Sequence, residues 1–219
     1  TKVNINYVNS EKIELSNYKK VLKNSDAILV PGGFGNRGIE GMILAARFAR
    51  ENKVPYFGIC LGLQIAIIEM ARNLLTLKDA NSTEFKPRTT NKVISLVTEW
   101  KNKDGTIEKR NKDSEKGGTM RLGAQKASLL KGSLARSLYK NKTIFERHRH
   151  RYEVNPDYVS TLEGKGLIVS ARSEIHNLVE MIELKNHPWF LGCQFHPEFT
   201  SKPKTGHPLF NDFIKTAVK

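Results

Sequence analysis

Val54-Pro-Tyr-Phe-Gly-Ile-Cys60-Leu-Gly-Leu-Gln64 carries an apolar run straight into a helical pattern. Val54 to Cys60 reads as a buried strand, and Gly62 to Leu75 as a helix with Leu63, Ile67 and Met70 on one face. The same alternation stands just upstream. Asp26 to Val30 is a short apolar run stopped by Pro31, and the glycine-rich turn Pro31-Gly-Gly-Phe-Gly-Asn-Arg-Gly38 follows. Ile39, Met42, Ile43, Ala46 and Ala49 then recur at helical spacing. Strands alternating with helices of this length imply right-handed crossovers between parallel strands. The predicted class is α/β: a mostly parallel open sheet with flanking helices.

Farther out, Val3, Ile5 and Tyr7 alternate with polar residues as in a half-exposed strand. Val93 to Trp100 reads as a strand, Asn102-Lys-Asp-Gly105 as a hairpin turn, and Thr106 to Arg110 as its antiparallel return. This gives the sheet protein a small antiparallel section. Leu167 to Ala171, Leu178 to Leu184 and Phe190 to Phe195 read as three further strands, and Pro208 to Val218 as a closing helix. A chain of 219 residues without an internal repeat or long linker fits one large domain. Two cysteines, Cys60 and Cys193, exclude a disulfide framework and leave a thiol free for chemistry in a reducing compartment. The most apolar stretch, Gly58 to Ala71, contains Gln64 and Glu69 and is too short to span a bilayer. The net charge of +14 comes mostly from scattered lysines, the pattern of a solvated surface.

Chemistry concentrates at Gly58-Ile-Cys60-Leu-Gly62, where strand gives way to helix. This is the nucleophile-elbow pattern with sulfur at its centre. Glycines on both sides let the two backbones approach, and the helix N-terminus after Cys60 favours thiolate. The competing reading is a buried structural cysteine in a tight turn. A nucleophile needs a base and an orienting group. His196 follows a predicted strand, at the sheet edge where ligands bind in open α/β folds, and Glu198 lies across a stiffening Pro197. An isolated His-Pro-Glu is more often a surface turn. Together with an elbow cysteine it reads as a Cys60, His196, Glu198 triad.

These motifs resemble those of the class I glutamine amidotransferases. Pro31 to Gly35, Asn81 to Phe85, Gly117 to Gly123, Glu146 to Asn155 and Gln194 to Ser201 are similar, in order, to segments of the glutaminase domain of the CTP synthase family. The resemblance implies a flavodoxin-like α/β fold and hydrolysis of L-glutamine to glutamate and ammonia. Cys60 would attack the amide to form a γ-glutamyl thioester, the backbone N–H groups of Gly33 and Leu61 would hold the oxyanion, and His196, oriented by Glu198, would move the protons. It places glutamine contacts at Gly33, Leu61, Gly62, Leu63, Gln64, Glu84 and Arg151, the last two charges matching the ends of the zwitterion. It assigns a GTP response to Phe34 and Arg110.

Ammonia would pass to an N-terminal synthetase domain of the same polypeptide for ATP-dependent amination of UTP to CTP. No phosphate-loop motif occurs in this chain, so ATP, Mg2+ and GTP belong to the full-length enzyme, which the resemblance makes a cytoplasmic homotetramer. Residues 1–219 would then be one glutaminase domain without its first strand and helix. Rival readings are another cysteine γ-glutamyl hydrolase, or an inactive glutaminase-like regulatory domain. Arg147-His-Arg-His-Arg151 raises nucleic acid and metal binding, but strand alternation splits the five residues between two faces and no cysteine or acidic cluster with ligand spacing accompanies the histidines. Neither a nucleic-acid partner, a membrane nor a metal is expected.

Overall fold

The fold is that of a computed structural model, which describes residues 2–96, 99–101, 107–109 and 120–218. The chain runs α1 (Tyr18–Leu22), β1 (Ile28–Val30), α2 (Ile39–Asn52), β2 (Tyr56–Ile59) and α3 (Leu61–Leu74). Next come β3 (Asn81–Ser82), β4 (Lys92–Leu96), β5 (Glu99–Lys101), β6 (Ile107–Lys109), β7 (Arg121–Leu129), α4 (Leu134–Tyr139) and β8 (Thr143–His150). β9 (Tyr152–Val154), α5 (Val159–Glu163), β10 (Leu167–Ser173), β11 (Val179–Leu184), β12 (Phe190–Cys193) and α6 (Pro208–Ala217) complete it.

A seven-stranded sheet in the order β1-β2-β12-β11-β10-β7-β8 forms the centre. Pairing is parallel between β1 and β2 and between β2 and β12, and antiparallel from β12 onward. The α/β class is the one expected, with an antiparallel part larger than the sequence reading allowed. That part extends through the β7–β8 hairpin, whose sequence Arg121-Leu-Gly-Ala-Gln-Lys-Ala-Ser-Leu129 has no β-branched residue; long-range pairing makes it a strand where propensity does not. The expected hairpin is present as β5 paired with β6, but the Val93 end of the expected strand is β4, which pairs with β3 and β9 in a second sheet; the turn, Asn102 to Gly105, lies outside the described residues. Val3, Ile5 and Tyr7 are not a strand. They are 48%, 68% and 88% exposed and join no ladder among the described residues, because alternation supplies a face but only a neighbour supplies hydrogen bonds.

The two faces of the central strands bury different cores, as a period of two demands. Tyr56 of β2 joins Leu63, Ile67 and Met70 of α3, Ile43 and Ala46 of α2, and Phe190, on which its ring stacks at 4.5 Å. Phe57, next in sequence, faces Trp189 and Phe213 of α6. Both faces being covered explains why β2 and β12 are buried end to end.

The elbow is a close crossing of backbones. A Cβ on Gly58 would lie 2.5 Å from the Gly62 carbonyl, and one on Gly62 would penetrate the carbonyl oxygen of Val30. Gly62→Ala is therefore expected to destabilise the fold by about 3 kcal/mol in chemical denaturation, overpacking outweighing a helix-propensity gain of about 1 kcal/mol. An unchanged midpoint would show that β1 moves away freely.

Candidate active site

Cys60 sits at the step from β2 to α3 with φ 51° and ψ −97°, a backbone conformation that β-carbon sterics disfavour. The strain is held by flanking order: its N–H donates to Cys193 of β12 at 2.7 Å, and its carbonyl accepts from Gln64 at 3.3 Å. Its side chain is 2% exposed.

His196 arrives from the neighbouring strand. Its backbone N–H donates to the Arg147 carbonyl on β8 at 2.8 Å, tying the loop after β12 to the far strand of the curled sheet. Its Nδ1 is 2.6 Å from Glu198 Oε1. A carboxylate accepts, so Nδ1 carries the proton and the lone pair lies on Nε2, which is buried with no partner among the described residues. Phe199 stacks on the ring at 5.0 Å and stiffens it further. Gly32 shows how near the two groups stand: a Cβ there would be 2.8 Å from His196 Cε1 and 3.6 Å from Cys60 Cβ. Cys60, His196 and Glu198 are thus brought together. A Cβ on Gly33 would lie 3.1 Å from Leu61 Cδ2, so the glycine loop and the first turn of α3 line the same space.

Electrostatics correct one expectation. Burial pushes the Cys60 thiol up to about 12, and the Glu153, Glu198 and Glu84 carboxylates push the same way. The Leu61 N–H, donating to the sulfur at the start of α3, opposes them without prevailing. The resting group is the thiol, because desolvation outweighs the helix terminus.

The other residues expected to contact glutamine are placed as follows. Glu84 accepts the Gly35 N–H at 2.9 Å, and so fixes the glycine-rich loop. Tyr152 lies within the field of both Glu84 and Arg151: its hydroxyl is pushed up by burial and by Glu84, and pulled back by Arg151. Arg151 Nε is buried without a hydrogen-bond partner among the described residues. Gln64 donates to the Tyr152 carbonyl at 3.0 Å. Leu63 turns its side chain into the core, leaving its backbone to the first turn of α3 with Gly62. Phe34 is 57% exposed under the Arg149 guanidinium, 5.8 Å from the ring centroid. Arg110 lies outside the described residues.

The model of the class I glutamine amidotransferase family matches residues 1–216. The chain belongs to that family. The glutaminase domain of CTP synthase from Trypanosoma brucei, solved with bound acivicin, is 39% identical over 100% of this chain and 81% of its own, with a TM-score of 0.87. A Thermoplasma acidophilum protein described as a GMP synthase subunit is 17% identical over 91% of this chain and 76% of its own, at a TM-score of 0.54, and shares the fold.

In this amidotransferase domain the surroundings of Cys60 include residues that the sequence reading does not single out. Gln194, two residues before His196, donates from Nε2 toward Cys60 Sγ at 3.6 Å. Its position, on the same strand-parity face as His196, was the available signal. Behind it lies a buried ionic cluster. Arg121 bonds Glu153 at 2.9 Å and Glu180 at 2.6 Å; His150 bonds Glu153 at 2.7 Å, and His148 bonds Glu180 at 2.6 Å. Both histidines of the Arg147–Arg151 run are thereby committed to carboxylates, while Arg147 and Arg149 face outward. No helix is long and apolar enough to cross a membrane among the described residues.

Proposed function

We propose that this domain hydrolyses L-glutamine to glutamate and ammonia through Cys60, His196 and Glu198, and that the ammonia serves amination of UTP to CTP by a synthetase domain of the same polypeptide. One observation carries the reading: a buried His196 Nε2 near Cys60, without a hydrogen-bond partner among the described residues, on an imidazole whose other nitrogen is held by Glu198. Glutamine docks its α-carboxylate on Arg151 and its α-ammonium on Glu84. The ammonium neutralises one of the carboxylates that oppose ionisation of the thiol. His196 Nε2 takes the thiol proton, the sulfur attacks the side-chain amide carbon, and the proton passes to the departing ammonia. Water, deprotonated by the same nitrogen, then cleaves the γ-glutamyl thioester. The backbone N–H groups of Gly33 and Leu61 steady the oxyanion in both halves.

Full-length likeness to a CTP synthase glutaminase domain, at 39% identity, supports the CTP branch over other uses of ammonia. On this reading residues 1–219 act as one glutaminase unit, with ATP, Mg2+ and GTP used only by the full-length enzyme. The test is incubation of the protein with acivicin, followed by peptide mass spectrometry. A single adduct on the Cys60 peptide, suppressed by excess L-glutamine, is expected. An adduct on Cys193, or one that glutamine does not suppress, would remove the assignment.

A further inference from the structure

Two amides and a carbonyl settle the direction of a hydrogen bond to the sulfur. The Tyr152 main-chain oxygen can only accept, so the amide nitrogen of Gln64 faces it, at 3.0 Å. That same nitrogen lies 3.3 Å from Gln194 Oε1. The carbonyl end of Gln194 is therefore taken, and its NH2 end is the one turned to Cys60 Sγ, at 3.6 Å. The chain of acceptor, donor, acceptor, donor leaves no reversed arrangement in which every contact survives. Gln194 is also immobilised: it is fully buried, and its backbone N–H donates to the Glu180 carbonyl at 2.8 Å. Glu180 is itself clamped by Arg121 and His148.

We infer that Gln194 is a further catalytic residue, whose side-chain N–H stabilises the Cys60 thiolate. The inference rests on the glutaminase reading above and adds a group to it. A sulfur this enclosed has lost the water that would solvate its anion, and the carboxylates around it oppose the charge. An amide donor replaces part of that solvation without carrying a titratable proton, so it cannot quench the nucleophile. The interaction is strongest when the sulfur is anionic. It therefore acts before attack, and again when the thioester breaks and sulfur leaves with its electron pair. Gln64 aims the amide, which gives Gln64 a positioning role beyond its place in the glutamine pocket.

Two substitutions of similar volume separate this from a packing role. Gln194→Met removes the donor; Gln194→Glu keeps the acceptor for Gln64 and sets an anion against the sulfur. In the full polypeptide, the rate of Cys60 alkylation by iodoacetamide is followed against pH, with Cys193 distinguished by peptide mass, and kcat and KM are measured for glutamine. With Gln194→Met the alkylation profile is expected to move up by about one pH unit and kcat to fall about tenfold; with Gln194→Glu both changes are expected to be larger, about 100-fold in kcat, with KM changed by less than about threefold. Alkylation profiles of both variants superimposed on that of the parent protein would overturn the inference, as would a rise in KM at constant kcat. The alkylation arm does not depend on turnover: absence of Cys60-dependent ammonia release from the parent protein would sink the glutaminase reading, with the profiles still deciding what Gln194 does to the sulfur.

Discussion

Cys60→Ala is expected to lower ammonia release from L-glutamine by at least about 10³-fold while the protein still folds. The loss is large because the step removed is covalent. Without the sulfur, His196 has no proton to take from a nucleophile, and the oxyanion donors wait for an intermediate that does not form. Cys60→Ser is expected to be nearly as poor: burial already pushes a thiol up to about 12, and the less acidic hydroxyl ionises less readily still in the same enclosure. Stability is expected to change little, since alanine fills the buried site with most of the same contacts and adopts the strained elbow at a similar cost. Glu198→Ala gives the contrast. Its carboxylate bonds His196 Nδ1, at 2.6 Å, so its removal costs orientation and tautomer, and a kcat loss roughly 10²-fold milder than for Cys60 is expected. Turnover by Cys60→Ala equal to the parent would end the nucleophile assignment outright.

What could be read from the sequence follows from where the determinants lie along the chain. The elbow is local: strand, glycine, cysteine, glycine and helix are consecutive, and the clash geometry at Gly58 and Gly62 explains why glycine stands at both. The His196–Glu198 contact is local too, spanning a single proline. By contrast, β7 is made by partners on β10 and β8 that no window of its own sequence contains. Val3 to Tyr7 fails in the opposite sense, a strand-like pattern with no ladder partner among the described residues. The thiol's protonation escapes a sequence reading for a similar reason. The helix terminus that favours the anion adjoins Cys60 in sequence, whereas Glu84 and Glu153, which oppose it, come from distant loops and strands. Glu180, the partner of His148, comes 32 residues later and meets it only on folding, whereas Glu153, the partner of His150, lies three residues away; alternation could exclude a patch but could not single out either carboxylate.

Arg121→Met is expected to produce the largest stability loss of any single substitution in the site's surroundings. The guanidinium is 8% exposed and supplies donors to Glu153, Glu180 and Gln125 at once. Burial opposes charge on Glu153, yet His150 and Arg121 outweigh it and hold its carboxyl well below the usual carboxylate range. A depressed carboxylate contributes stability that is present at neutral pH and lost as pH falls through its folded value. Removing Arg121 leaves two buried carboxylates with a histidine each, and stranding such charges costs about 3–5 kcal/mol, or about 10 °C in midpoint for a chain of this size. Because Glu153 then ionises less readily, part of the loss is expected to be recovered on mild acidification, the reverse of the parent's trend. Glu153→Gln combined with Arg121→Met is expected to recover part of it at neutral pH by deleting one stranded charge. Thermal unfolding from pH 2 to 8, which spans the acid range where the parent loses this contribution, reads all of these. A drop below about 1 kcal/mol would mean that water reaches the cluster. The pocket wall behind Gln194 and Tyr152 would then be solvated, without the rigidity that its hydrogen bonds to Cys60 and Gln64 require.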